Sequence, residues 1–329
     1  MKKYAVSNLL FTVAFLLIFS PLFLLLYQYV VSNAIPSVEA KKSLHELNIS
    51  PISINRDFSS MIEYTDKVTV LIYHQITPEK HLKKHHFTDT GELIDMIVTL
   101  EDFTEQMNYL EKNNYTVLSL KEFELFMINQ KKVPANSILI TFDDGYKNVF
   151  EFAYPVLKSH GFYATHFLIT GAITNRSVAY DSSYLQYASI DEIMEASDIF
   201  DYGNHTHSFH QRNDDEVSYL EAYDSEKVKE DLATANEWLG HSIAFAAPYG
   251  EYNPTTLDIL RHLNMKMAFT TEHGYAEPSQ HLLEIPRKAI FPFYTMVDFI
   301  NIIEQKSDYS HQEFKNGRTH DSFHPLYIH

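Results

Sequence analysis

The sequence predicts an α/β protein, a closed or nearly closed barrel of about seven parallel strands, on three observations. Seven apolar runs of strand length recur between Val68 and Ile290. Segments with helical spacing of apolar residues lie between them. The residues best able to do chemistry fall at the carboxyl ends of the runs. Continuous apolar strands alternating with helices make a parallel sheet covered by helices. In a barrel of this kind, function gathers at the carboxyl-terminal rim.

The strands, in order, are expected at "VTVLIYH" (68–74), "SILITF" (137–142), "YATHFLIT" (163–170), "IFDYGN" (199–204), "SIAFAAP" (242–248), "KMAFTT" (266–271) and "LLEIPRKAI" (282–290). Between them, "EDFTEQMNYLEKN" aligns Phe103, Met107 and Leu110 on one helical face. "EKVKEDLATANEWLG" does the same with Val228, Leu232, Ala235 and Leu239, and Gly240 stands where the helix should stop. In "YKNVFEFAYPVLKSHG", Pro155 should kink or restart the helix. Residues 75–100 and 171–187 read as long loops over one rim.

Ahead of the barrel the chain changes character. Lys2 and Lys3 precede a run without a charge from Tyr4 to Val31, long enough to span a bilayer. The lysines should stay on the cytoplasmic side, which places the bulk of the chain outside the cell, membrane-anchored or secreted. Cleavage after "SNA" (32–34) or "VEA" (38–40) is the alternative to an anchor. The expected organisation is therefore 1–31 anchor or signal, 32–66 stalk or lead-in, 67–305 main α/β domain and 306–329 polar tail. The absence of cysteine excludes disulfides, thiolate metal sites and cysteine nucleophiles. A net charge of −17 argues against a nucleic-acid partner.

Three strand ends carry the candidate chemistry. "ILITFDDGY" (138–146) puts Asp143 and Asp144 at the end of a buried strand, with Gly145 allowing a tight turn. Asp-Asp-Gly is also ordinary turn chemistry; at a functional rim, one carboxylate can bind a metal while the other acts as base. "DYGNHTHSFHQR" (201–212) offers His205, His207 and His210. His205 and His207 share a face if the strand continues, whereas His205 and His210 converge if the chain turns after Thr206. Two imidazoles and one carboxylate make the open three-ligand site of a hydrolytic metal. "AFAAPYGEYN" (244–253) ends in a rigid Pro248-Tyr249-Gly250 turn whose backbone N–H groups are able to stabilise an oxyanion.

In this order and at strand ends, TFDDGY, NHTxxxH and FAAPYG resemble the polysaccharide deacetylase family (the NodB-homology domain, carbohydrate esterase family 4). Within it they look most like the branch acting on poly-β-1,6-N-acetyl-D-glucosamine of biofilm matrix. "VLIYHQI" (70–76), "FTEQMNYLEKNNYTVLSLKEF" (103–123), "ATHFLITGAI" (164–173) and "LEIPRKAI" (283–290) add to the likeness, which covers roughly residues 66–305. The resemblance implies a distorted (β/α) barrel and an N-deacetylase that hydrolyses the amide of an extracellular N-acetylglucosamine polymer. It implies Asp143 as general base, Asp144, His205 and His210 as ligands of a divalent ion (zinc, cobalt, nickel or iron), and Tyr249 as an oxyanion-hole N–H. The implied partners are the polysaccharide, the membrane through the N-terminal segment, and polysaccharide synthesis or export machinery.

Two departures bear on this. The wider family spaces its histidine ligands four apart, while His205 and His210 are five apart, as in the exopolysaccharide branch. The family arginine two residues ahead of the Pro-Tyr-Gly proline is replaced by Ala246, and Arg287 is expected to take its place beside Asp143. No histidine of the tail (His311, His320, His324, His329) follows an apolar strand, so the general acid is unassigned. His74 ends the first strand on the rim. The rival readings are a peptidoglycan or chitin deacetylase, an amidohydrolase-type barrel using His205 and His207, and a non-catalytic polysaccharide-binding protein.

Overall fold

The computed structural model of the chain describes residues 12, 15–17, 19–26, 43, 44, 46, 47 and 49–305. Most of the apolar segment expected to span the membrane (1–31), and all of the tail 306–329, lie outside these. Among the described residues no helix is long and apolar enough to cross a membrane.

The main sheet has eight strands. They are β1 (Thr69–Tyr73), β2 (Thr116–Val117), β3 (Ser137–Phe142), β4 (Ala164–Leu168), β5 (Phe200–Asn204), β6 (Ala244–Ala246), β7 (Met267–Phe269) and β8 (Lys288–Ala289). The order is β7-β6-β5-β4-β3-β1-β8, with β2 paired to the start of β3. Every pairing in this sheet is parallel. The sheet curls until its edges meet: Ile285, just ahead of β8, bridges Phe269 of β7. Its amide donates to Ala268 O at 2.8 Å and its carbonyl accepts from Thr270 N at 2.9 Å. All seven expected runs contain a strand. β2 was not expected, because two residues are too few to show a period.

Period-two alternation sorts the side chains. Leu71, Tyr73, Ile138, Ile140, Phe142 and Phe200 pack outward in one apolar cluster with Phe103, Met107 and Leu110 of α1 (Leu100–Lys112). Val70, Leu139, Phe167, Ala244, Ala246, Met267, Phe269 and Ile285 form the interior cluster, joined by Phe123 and Phe126 of α2 (Leu120–Asn129). Continuing the inward alternation past each strand end brings His74, Asp143 and His205 to the carboxyl-terminal mouth.

The longer of the remaining helices are α3 (Tyr154–His160), α4 (Ile190–Glu195), α5 (Ser225–Trp238), α6 (Pro254–His262) and α7 (Met296–Ile303), with a single helical turn at Tyr219–Ala222. Pro155 does restart a helix: a π-helical turn over Val149–Ala153 gives way to α3, with the proline in its first turn. On α5, Val228, Leu232 and Ala235 are buried as their spacing predicted, and Gly240 takes φ +72° just past the end. Residues 75–100 are not a plain loop. Gln75–Thr77 carries the extended chain beyond His74 and pairs in parallel with Ile97–Thr99.

The described residues between 43 and 58, inside the expected lead-in, lie against the barrel. Leu44 N donates to Trp238 O at 2.8 Å and Ile52 N to Asp201 Oδ1 at 2.7 Å. Arg56 makes two side-chain contacts with the buried Glu122 carboxylate, at 2.9 and 2.6 Å.

Candidate active site

Asp143 and Asp144 follow a strand buried along its whole length. The chain leaves it with Asp144 at φ +75° and Gly145 at φ +84°. Aspartate tolerates this left-handed region better than most residues, and such conformations persist where the surroundings hold them. The turn sends the two neighbouring carboxylates apart. Asp143 meets Arg287, whose Nη1 and Nη2 donate to Oδ1 and Oδ2 at 2.8 Å each. The guanidinium is itself fully buried, bonded through Nε to Thr270 O (3.0 Å) and through Nη1 to Thr141 Oγ1 (3.2 Å). Burial alone would raise the Asp143 carboxyl, but the Arg287 charge, then His205, outweigh it and hold it below the usual range.

Asp144 meets the histidines. β5 stops at Asn204, and Thr206 takes φ +71°, so the chain turns there. Asn204 fixes the turn: its Oδ1 accepts from Thr206 N at 2.8 Å and its Nδ2 donates to Leu232 O at 3.0 Å. Asp231 of α5 then gathers His207 N, Ser208 N and Ser208 Oγ, each at 2.8 Å. The result is convergence of His205 and His210. Their Nε2 atoms stand 3.2 and 3.1 Å from Asp144 Oδ1. His207 turns elsewhere, its Nδ1 at 2.9 Å from Thr170 Oγ1.

This trio fits a divalent ion. One ligand atom from each residue lies within 4.8 Å of the other two. His205 Nδ1 is 2.8 Å from Ala246 O, so a proton there leaves Nε2 free to coordinate. Both oxygens of the buried Asp144 carboxylate lack a hydrogen bond of good geometry, which is costly unless a cation satisfies them. Burial opposes ionisation of Asp144, but His210 and His205 beside it keep the carboxyl well below its usual range. The same carboxylates raise His205 against the effect of its burial.

Tyr249 closes the site. Pro248–Gly250 form a tight turn with Tyr249 at φ +59° and Gly250 at φ +73°. A Cβ on Gly250 would stand 1.9 Å from Thr271 Oγ1, so only glycine fits. The Tyr249 ring packs between His210, 4.6 Å between centroids, and the Arg212 guanidinium, 4.5 Å from its centre.

Residues 130–268 match the polysaccharide deacetylase family. Over these residues the chain is similar to polysaccharide deacetylases. It is 25% identical over 239 residues to the poly-beta-1,6-N-acetyl-D-glucosamine N-deacetylase of Staphylococcus aureus, covering 70% of this chain and 81% of that protein. It is 26% identical over 253 residues to the enzyme of the same name from Staphylococcus epidermidis, covering 73% and 86%. Among solved structures, the Streptococcus pyogenes deacetylase PplD superposes with a TM-score of 0.60 at 24% identity, covering 72% of this chain and 98% of that one. IcaB from Ammonifex degensii gives 0.59 at 23%, covering 74% and 98%. These two likenesses concern the fold.

The sequence put His74 on the rim but missed two parts of the candidate site. Asp231 carries no local signal, since it acts from a helix more than twenty residues away. His74 is placed by register: Tyr73 pairs with Phe142 and Asp143 N donates to Tyr73 O at 3.0 Å, so the next residue stands beside Asp143. Burial lowers its imidazole, which the charges of Asp144 and Asp143 partly offset. Lastly, Gly145–Lys147 is laced to the rim segment 186–188. Lys147 N donates to Gln186 O and Ala188 N to Gly145 O, both at 2.9 Å. The buried Lys147 ammonium pairs with Glu192 of α4. The capping box of Ser189 and Glu192 was legible locally; its partner was not.

Proposed function

We propose that this chain is a metal-dependent N-deacetylase of an extracellular N-acetylglucosamine polymer, in the first place poly-β-1,6-N-acetyl-D-glucosamine. One observation carries the reading: an Asp144–His205–His210 cluster beside an Asp143–Arg287 pair at the mouth of the barrel. The substrate assignment is supported by the relatives at about a quarter identity and by the five-residue histidine spacing.

In this reading Asp144, His205 and His210 hold a divalent ion, for which zinc is the first choice, cobalt, nickel and iron the others. Such an ion supplies Lewis-acid polarisation of the acetamide carbonyl. Asp143, kept ionised by Arg287, takes a proton from the water that attacks the carbonyl carbon. Arg287 occupies one lone pair on each Asp143 oxygen and fixes the plane of the carboxylate, leaving the other lone pairs to the water. The Tyr249 N–H donates to the oxyanion. As the C–N bond breaks, His74 gives a proton to the departing amine, and acetate is released.

The uncharged run from Tyr4 to Val31 supports an anchored or secreted enzyme at the outer cell surface, near the machinery that makes or exports the polymer. Acetate release from a panel of β-1,6- and β-1,4-linked N-acetylglucosamine oligomers and peptidoglycan tests the substrate. Preference for a β-1,4-linked substrate would replace the exopolysaccharide reading with the chitin or peptidoglycan one. Saturable binding without release would leave a binding protein.

A further inference from the structure

The two histidines of the candidate metal site are held in different ways. His205 is oriented by its second nitrogen, 2.8 Å from Ala246 O. His210 has no such support: among the described residues none hydrogen-bonds its Nδ1. It is also the more exposed of the two, 17% against 2% at the side chain. Besides His205, the ring that packs on its imidazole is Tyr249, 4.6 Å away between centroids.

Tyr249 does not hold that place by itself. Its backbone sits at φ +59°, a conformation a tyrosine keeps only where its surroundings impose it. Its hydroxyl is buried and without a hydrogen-bond partner, so no polar contact fixes the ring. The Arg212 guanidinium does, 4.5 Å from the ring centre. Arg212 is itself held from two directions. Its Nη1 donates to Glu216 O at 2.6 Å, and its Nη2 pairs with Glu251, two residues beyond Tyr249. The loop bearing His210 is therefore fastened on both sides. Ahead of His210, Asp231 takes the amides of His207 and Ser208; after it, Arg212 ties the loop to the Pro248–Gly250 turn. The Glu251 carboxylate offsets the guanidinium charge, so the pair acts by packing and geometry rather than by adding charge beside an ion site.

We propose that Arg212 is a positioning residue for the second histidine ligand: clamped by Glu251, it sets the Tyr249 ring, and the ring sets the plane of His210 toward the ion. The proposal rests on the metal-dependent reading and deepens it. The test is a Co²⁺ titration of the purified full chain, followed by visible absorption, for the unaltered protein, Arg212→Ala, Arg212→Lys, Tyr249→Leu and the double variant Arg212→Ala/Tyr249→Leu. Arg212→Ala should weaken Co²⁺ binding about tenfold, as loss of outer-shell support does, while the Tm measured in chelator stays close to that of the unaltered protein. Arg212→Lys keeps a cation for the ring and for Glu251 and should recover most of the loss. With leucine at 249 the same Arg212→Ala change should cost less than about threefold, because its route to His210 is gone. Equal Co²⁺ affinity of the unaltered chain and Arg212→Ala overturns the proposal. So does a tenfold loss that persists in the Tyr249→Leu background, since Arg212 then acts by another route. If Arg212→Ala does not fold, Glu251→Gln, which loosens the guanidinium without removing it, is read against the same two outcomes. An unaltered chain that binds no Co²⁺ sinks the metal-dependent reading itself, and the proposal with it.

Discussion

At the scale of single residues, the Asp143–Arg287 pair carries the sharpest consequences. Lysine at 287 has no planar fork to hold both carboxylate oxygens. Arg287→Lys should lower kcat about ten- to a hundredfold with a smaller change in KM, measured by acetate release at saturating substrate. Arg287 also sets the sign of a pH effect. It holds Asp143 below the usual range, so this carboxylate, the proposed base, is already ionised as pH rises through the acid region. Arg287→Met removes that charge, and the acid limb of kcat/KM should move to higher pH. His166 gives a contrasting case. It is fully buried among Phe142, Phe150 and Phe200, its pKa is pushed down to about 3 by burial, and neither ring nitrogen has a hydrogen bond of good geometry. Replacing an unsatisfied polar ring by an apolar one of similar shape is neutral or stabilising. His166→Phe should leave Tm equal or raise it.

At the scale of elements, most strand runs were legible because they are largely buried on both faces and therefore largely apolar. Motif residues were legible because each sits at a run's end. The helices were read unevenly. α2, α4, α6 and α7 were not expected, although each begins at a capping box, Ser119 with Glu122, Ser189 with Glu192, Asn253 with Thr256 and Thr295 with Asp298. What no local pattern contains is the turn after β5. The choice between His207 and His210 depends on φ at Thr206 and on the Asp231 carboxylate from α5. Removing that carboxylate leaves buried donors without an acceptor and frees the loop that places His210. Asp231→Ala should weaken divalent-ion affinity about ten- to a hundredfold, as loss of outer-shell support does elsewhere. A Co²⁺ titration of the purified protein checks it independently of turnover.

At the scale of the whole molecule, the barrel is functional at one end and strapped at the other. Asp201, on the inward face at the start of β5, accepts Ile52 N from the strap, and burial pushes its carboxyl up to about 6. A raised folded-state value means that its contribution is complete below the ordinary value of 3.8 and is lost as pH rises through about 6. The loss amounts to about 2–3 kcal/mol at most. Asp201→Asn keeps an acceptor for Ile52 N and removes the titration. Its unfolding free energy should therefore exceed that of the unaltered protein at pH 7 and converge with it near pH 4. The strap itself was illegible, because its described residues are held by backbone hydrogen bonds, the Arg56–Glu122 pair and a few apolar anchors such as Leu44 and Phe58, too irregularly spaced to show a period. The central claim, that Asp143 and the Asp144–His205–His210 cluster form one hydrolytic centre, is met most directly by a single assay. Acetate release from poly-N-acetylglucosamine is measured for residues 40–329 with and without a chelator, and for Asp143→Asn. The account predicts release that the chelator abolishes, that a divalent ion restores, and that Asp143→Asn lowers by several orders of magnitude. Release that survives both the chelator and the substitution would contradict it.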